Sequence, residues 1–132
     1  MVGIDTNVLI RYIVQDDPIQ AKLATRFIEH NCTTDTPGFI NWIVLCEVVW
    51  VLKRAYGYNK PIIINVLRQI LLTAEFTIGN SDVMWKALKE FESGQADFSD
   101  YIIGDSNLEN GCEYTITFDK SVSGNPNFLI LK

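Results

Sequence analysis

The sequence predicts an α/β fold, a three-layer α/β/α arrangement in which short parallel strands alternate with helices. Two patterns support this fold class. Short apolar or β-branched runs, such as residues 2–4 and 115–117, recur along the 132 residues and have the composition of strands. The segments between them carry apolar residues at helical spacing. Such alternation is typical of a parallel sheet with helices on both faces.

Local signals support each element in turn. The first helix begins near Thr6 or Asn7, since either side chain can cap it. Asn41 is placed to cap the third helix, and Pro61 suits the first turn of the fourth. The expected strands are residues 2–4, 39–40, 76–78, 115–117 and 128–131. The expected helices are residues 8–13, 18–31, 42–52 and 62–72, one between Ser81 and Gly94, and one between Asp97 and Gly111.

The composition fits a single domain over residues 1–132. With 48% hydrophobic residues, the chain can form a sizeable core. It has no run of about 18 apolar residues, as a membrane helix requires, and its N-terminus lacks the basic-then-apolar pattern of a signal peptide. The cysteines, Cys32, Cys46 and Cys112, match neither a zinc spacing nor a disulfide framework, which favours a cytoplasmic setting.

Charge and histidine content limit the chemistry. A net charge of −5 is the wrong sign for a nucleic-acid binder, unless bound cations invert it locally. The one histidine, His30, comes near the end of a predicted helix, where a structural role is expected. Histidine-based acid–base chemistry and a Ser-His-Asp triad are therefore not expected.

Four aspartates come at the ends of predicted strands or the starts of predicted helices. Asp5 follows the first strand and Asp119 a late one, whereas Asp97 and Asp100 begin a helix. Because ligands bind at the carboxyl ends of parallel strands, these carboxylates are expected to gather around Mg²⁺ or Mn²⁺, which would relieve their repulsion. The alternative is structural: Asp5 and Asp97 are helix caps, Asp100 is solvated, and Asp119 belongs to a turn.

Glu47 is the only charged residue in the run WIVLCEVVWVL, residues 42–52. A helix of this composition is expected to be buried nearly all round. An isolated buried carboxylate costs several kcal/mol, so it must be paired, protonated or facing a polar cleft. We favour a functional cleft, and a salt bridge to a base from elsewhere in the chain is the alternative.

Two further sets of charged residues are harder to interpret. Asp105 projects toward the stripe formed by Phe98 and Tyr101, where only a partner or a surface-facing edge would account for it. Candidate RNA-binding cations are Arg11, Lys53, Arg54 and Lys120. Lys120 follows Asp119 directly, so it can contact a phosphate, or it is a solvated surface lysine. Phosphate contacts do not specify sequence, so the RNA target cannot be deduced from them.

Four acidic blocks occur in a recognisable order. DTNVL at 5–9, Glu47 within CEVVWVL, ADFSDYIIG at 96–104 and TFD at 117–119 resemble the PIN-domain nucleases. Their order and spacing resemble the VapC-type toxins of type II toxin–antitoxin pairs. The resemblance covers essentially the whole chain.

The resemblance implies a PIN-like fold, Mg²⁺- or Mn²⁺-dependent endoribonuclease activity, a cognate antitoxin and a homodimer. An antitoxin would lay an amphipathic segment in an apolar groove and place a basic residue near the acidic site. The candidate groove walls are Trp42, Trp50 and Trp85, for which a place in the core is the alternative. By position, Asp5 and Asp100 would be metal ligands, Glu47 would complete the acidic set, and Asp119 would be the fourth acid. Thr117 would assist Asp119, Asn7 would support Asp5, and Asp97 would be either a further ligand or only a helix cap.

The same residues are compatible with other functions. The same fold can serve as a housekeeping nuclease that processes RNA or DNA without an antitoxin. The acids can also be structural, in a non-catalytic interaction module. A phospho-receiver domain fits less well, because its middle acid would follow a strand, whereas Glu47 lies within a helix.

Overall fold

A computed structural model describes all residues, Met1–Lys132, and they form two compact units, Met1–Ser81 and Asp82–Lys132. The first unit contains a parallel sheet in the order β1-β2-β3, with strands β1 (Val2–Gly3), β2 (Gly38–Ile40) and β3 (Phe76–Ile78). Its helices are α1 (Thr6–Val14), α2 (Pro18–Asn31), α3 (Trp42–Arg54) and α4 (Lys60–Leu72).

The second unit contains two helices and a pair of parallel strands. Its elements are α5 (Ser81–Ser93, which begins at the boundary), α6 (Phe98–Glu109), β4 (Thr115–Thr117), a 3-10 turn (Lys120–Val122) and β5 (Phe128–Ile130). All five strands run parallel to their partners, and helices separate most of them along the chain. The predicted α/β fold class is confirmed. The prediction of one domain over residues 1–132 stays a prediction.

Side-chain caps explain where several helices begin. The Asn41 side chain accepts a hydrogen bond from the Ile43 N–H at 3.0 Å, as its position predicts. Asn59 caps α4 in the same way, before Pro61 in the first turn. The helix after β3 starts at Ser81 itself, because Asn80 has a left-handed φ of 53° and ends the preceding turn.

Each unit has its own apolar core. In the first, the fully buried side chains come from α1, β2, α3 and α4; they are Leu9, Ile40, Leu45, Val48, Leu52 and Leu67. In the second, Phe98 is fully buried, and its ring lies 5.9 Å from that of Phe91. Gly94 ends α5, as predicted. A Cβ atom there would overlap the Tyr101 hydroxyl, so this turn requires glycine.

The expectation that α3 is buried nearly all round is wrong. The helix buries one stripe, Val44, Leu45, Val48 and Leu52, and exposes the opposite side, where Trp50 is 60% accessible. Glu47 lies on the exposed side. Because this helix is apolar on every face, its sequence did not indicate which face is buried. The residues that are buried recur with the 3.6-residue period of one helix face.

No helix in the chain has both the length and the apolar character to cross a bilayer.

Candidate active site

Asp5 stands between β1 and α1, at the end of the first strand. It occupies the N-cap position, but its carboxylate accepts no capping hydrogen bond and is exposed to solvent. Asp5 therefore occupies the position of a helix cap, as the structural alternative predicted, but its side chain does not act as a cap. Both carboxylate oxygens remain available to a ligand at the positive end of the α1 dipole.

Glu47 is held by a hydroxyl of the residue that follows Asp5. The Thr6 Oγ1 atom donates a hydrogen bond to Glu47 Oε1 at 2.7 Å, and Thr6 is only 7% exposed. No ion pair reaches Glu47, so the salt bridge considered for it is absent. Because Thr6 follows Asp5, this hydrogen bond places Glu47 close to Asp5 in the fold. The second oxygen of Glu47, Oε2, accepts no hydrogen bond.

Sequence reasoning did not identify Thr6 as a partner of Glu47. Its hydroxyl was interpreted only as a possible cap, and the contact joins positions far apart in sequence. Asn7 is exposed and its side chain makes no hydrogen bond, so its supporting role toward Asp5 stays a prediction. Cys46, beside Glu47, is no nucleophile, because burial first, and then the Glu47 charge, raises the pKa of its thiol to about 11.

A largely apolar cavity of about 640 Å³ opens next to Asp5 in the first unit. Its lining includes Asp5, Asn7 and Arg11 and a wall of apolar side chains, namely Val2, Ile4, Val8, Leu23, Ala24 and Phe27. The Arg11 guanidinium is already engaged by Asp16 at 3.1 Å and by the Tyr56 hydroxyl at 2.9 Å. Arg11 is therefore part of the fold rather than a free cation for RNA.

In the second unit, Asp97 and Asp100 begin α6. The Asp97 N–H donates a hydrogen bond to Asp100 Oδ2 at 3.0 Å, so the helix start fixes the Asp100 carboxylate. Burial raises the pKa of Asp100, the bond from Asp97 N–H lowers it, and the charges of Asp119 and Asp97 raise it further. The carboxylates of Asp97 and Asp119 are therefore both close enough to Asp100 to repel its negative charge.

Asp119 follows β4, as predicted, and is exposed. Its Oδ1 atom accepts hydrogen bonds from the Ser121 hydroxyl at 2.7 Å and from the Ser121 N–H at 2.8 Å, which together lower the pKa of Asp119. The Thr117 hydroxyl oxygen accepts the Asp119 N–H at 3.0 Å, whereas its assistance to the Asp119 carboxylate stays a prediction. Ser121 is a further residue that the sequence did not indicate.

The donor set suits a hard divalent cation. The acids offer carboxylate oxygens, the ligands of Mg²⁺ and Mn²⁺, and the crowding around Asp100 is the kind of repulsion that a cation relieves. Within either unit, no three Asp, Glu, His or Cys side chains come together closely enough to hold a metal ion. The acids fit the metal in chemistry.

The remaining sequence candidates fall into two groups. The His30 Nδ1–H donates a hydrogen bond to the Arg26 carbonyl at 2.7 Å, which gives it the expected helix-terminal role. The Arg54 guanidinium lies 5.6 Å from the centre of the Trp50 ring. Lys120, by contrast, is exposed and makes no ion pair or side-chain hydrogen bond, so its ammonium is available to a phosphate.

Carboxylates that follow parallel strands, as Asp5 and Asp119 do here, are placed where α/β folds bind ligands and have the oxygen atoms that divalent cations prefer. A family model for the PIN domain matches residues 2–124, and the chain belongs to the PIN-domain family. The structure agrees with a PIN-like α/β/α fold. PIN domains are in general metal-dependent nucleases, enzymes of the hydrolase class that use divalent ions. No curated protein matches the chain.

Proposed function

We propose that this PIN-domain protein is a Mg²⁺- or Mn²⁺-dependent endoribonuclease and the toxin of a type II toxin–antitoxin pair of the VapC type. The observation that carries the proposal is the family match over residues 2–124, which contains every predicted acid in order. The toxin assignment is supported more narrowly, by the likeness of the motifs DTNVL, ADFSDYIIG and TFD to those toxins.

In the proposed mechanism, Asp5, Asp97, Asp100 and Asp119 would hold the metal, and Glu47 would complete the acidic set. The metal would lower the pKa of a bound water and stabilise charge on the phosphate, which removes the need for a histidine base. The contribution of the chain is to fix the carboxylates. Thr6 orients Glu47, the Asp97 N–H orients Asp100, and Ser121 orients Asp119.

A cognate antitoxin is the proposed protein partner. The cavity beside Asp5 supports this, because its apolar wall, with Val8, Leu23 and Phe27 partly exposed, suits the apolar face of an amphipathic segment. A basic residue on that segment would meet the free carboxylate of Asp5. A homodimer is proposed from the exposed side of α3, where Trp42, Ile43 and Trp50 are accessible.

RNA and a cytoplasmic location complete the proposal. Lys120, which has no partner in the chain and follows Asp119 directly, is the candidate contact for a backbone phosphate. The three cysteines are free, in keeping with a reducing cytoplasm.

The decisive experiment is cleavage of total RNA and a tRNA panel by the purified chain with Mn²⁺, with Mg²⁺ and with EDTA. We expect discrete products that require the metal and that are lost in a folded Asp100→Asn variant. Asp35→Asn, which changes an exposed loop aspartate, is the matched control and should cleave normally. Full activity of folded Asp100→Asn would refute the site assignment, and cleavage of single-stranded DNA in a parallel reaction would refute RNA specificity.

The toxin role needs a separate test, expression of the chain without a partner. Growth should arrest with the natural sequence and continue with Asp100→Asn. A chain that cleaves RNA in vitro but leaves growth unaffected would favour a housekeeping nuclease. A folded chain that neither cleaves nucleic acid nor binds Mn²⁺ would favour a non-catalytic interaction module.

A further inference from the structure

Glu90 on α5 and Asp105 on α6 form a pair of carboxyl groups separate from the candidate active-site acids. Asp105 is 3% exposed, which corrects the sequence interpretation of a surface-facing edge, and Glu90 is half-buried. The two groups are within hydrogen-bonding reach of each other. A pair of buried acids is unusual, because two negative charges at this separation repel one another strongly.

Each carboxyl group uses one oxygen for a neighbouring asparagine. Asn125 Nδ2 donates to Glu90 Oε2 at 3.5 Å, and Asn127 Nδ2 donates to Asp105 Oδ1 at 3.1 Å. The remaining oxygens, Glu90 Oε1 and Asp105 Oδ2, are both buried and have no donor in the chain. A buried carboxylate oxygen without a donor destabilises the fold. One proton on either carboxyl group would satisfy both oxygens, because it would let one donate a hydrogen bond to the other.

A single positive charge lies beside the two acids. On α5, the Lys86 ammonium lies 3.6 Å from Asp105 Oδ1 and balances that carboxylate. Glu90 and Lys86 also line a cavity, whose other ionisable groups are Tyr101 of α6 and Lys120 of the 3-10 turn. The segment 123–127, which supplies the two asparagines, carries no charged residue. One negative charge in the pair therefore remains without a partner of its own.

We propose that Glu90 and Asp105 share one proton, so that a neutral Glu90 carboxyl donates a hydrogen bond from Oε1 to Oδ2 of Asp105. This shared proton joins α5 to α6 and, through the two asparagines, to the segment that leads into β5. Glu90, Asn125 and Asn127 line a cavity of about 720 Å³ that also includes Lys120 and Ser121, next to Asp119. The pair is thus a proton-dependent clamp that reaches the wall of that cavity through Glu90.

The direction of the pH effect follows from the environment. Burial, then the contact with Asp105, raises the pKa of Glu90 from 4.5 to about 7. Between these values the folded chain keeps a proton that the unfolded chain has lost, so the clamp stabilises the fold at low pH. Its contribution falls as the pH rises toward about 7 and is absent above that.

The test compares thermal unfolding of the full chain and of Glu90→Gln from about pH 5 to about pH 8.5. The glutamine amide can still donate to Asp105 but does not titrate. The midpoint of the natural chain should fall relative to that of Glu90→Gln by about 5 °C across this range. Glu109→Gln, at the exposed end of α6, is the control and should follow the natural chain.

Equal pH dependence of the natural chain and Glu90→Gln would overturn the proposal. If Glu90→Gln does not fold, carboxyl NMR of the natural chain labelled at glutamate decides. One glutamate resonance that titrates near neutral pH supports the shared proton, and titration of every glutamate below about pH 5 refutes it. A Mg²⁺-induced rise in the midpoint at high pH, absent in Glu90→Gln, would show a bound cation instead. None of these readouts depends on nuclease activity.

Discussion

Asp5 and Asp119 lie exposed at the ends of strands, whereas Glu90 and Asp105 face each other on two packed helices. The carboxylate of Asp5 makes no hydrogen bond within the fold, and Asp119 uses only Oδ1. In the Glu90–Asp105 pair, by contrast, asparagines and a lysine engage one oxygen of each residue. The same functional group is thus left open to an outside ligand in one region and committed to the chain in the other.

The contrast separates two uses of a carboxylate that a sequence does not distinguish. An acid that the fold leaves incompletely bonded, and that other residues only orient, is suited to hold a cation. A buried acid that the chain engages through its own side chains contributes to stability instead. Substitutions in the two regions should therefore change different measurements.

The largest effect is expected for Asp5→Asn. RNA cleavage should fall by at least about a hundredfold, since even residues that only support metal ligands cost 10- to 100-fold when changed. The thermal midpoint should stay unchanged, because the fold makes no use of this carboxylate. Initial rates in Mn²⁺ and a thermal melt of the same sample test both halves. Normal activity would remove Asp5 from the site, and a large loss of stability would place it among the structural acids.

Asp105→Ala should have the opposite profile. The change leaves Asn127 Nδ2 and Glu90 without their partner, so the free energy of unfolding should fall by about 2 kcal/mol. Urea titration at about pH 5, where the pair keeps its shared proton, measures this loss, with Asp35→Ala as a control for an exposed loop aspartate. An unchanged midpoint would mean that the pair contributes nothing to the fold, and the contrast with Asp5 would disappear.

Thr6→Val tests the intermediate case, a residue that acts through an acid. Valine keeps the shape of threonine but cannot donate to Glu47 Oε1, so kcat/KM should fall by about tenfold with little change in stability. Thr6→Ser, which keeps the hydroxyl, should restore most of the rate. Thr77→Val, at an exposed position of β3, is the control. A full rate in Thr6→Val would show that Glu47 needs no orientation.

The smallest effect is expected for His30→Ala. The imidazole bonds only to the Arg26 carbonyl in its own helix, so cleavage should be unchanged and the unfolding free energy should fall by less than about 1 kcal/mol. Rates measured across neutral pH would detect any contribution from its titration. A severe loss of activity would return histidine to consideration as a general base.

Most of the fold was predictable because its signals are local. Asn41 caps α3 through the N–H of Ile43, two residues on, and Gly94 ends α5 where a side chain would overlap Tyr101. Apolar spacing located the helices, and the acids at strand ends followed from the pattern of a parallel sheet. These features depend on neighbours within a few residues, which a single sequence displays.

The details of the acids were not predictable, because they depend on contacts between distant positions. Glu47 was expected within a buried helix. Its sequence neighbours are all apolar, so they did not indicate that Glu47 lies on the exposed side of that helix. Its partner Thr6 is on another helix, and the partners of Asp105 are on α5 and near β5. Hydrogen bonds between side chains, such as the one from the Ser121 hydroxyl to Asp119, follow no periodic pattern in the sequence. Only the folded chain therefore shows which side chains form them.

The bond between Thr6 and Glu47 also bears on the order of folding. It links residues 41 positions apart, so it cannot form until the chain has closed a loop that contains α2 and β2. Closing such a loop is an entropic cost that precedes the contact. The bond should therefore be absent from the folding transition state, and its loss should speed unfolding while leaving the refolding rate nearly unchanged. The orientation of Glu47 would then be among the last features of the first unit to be established.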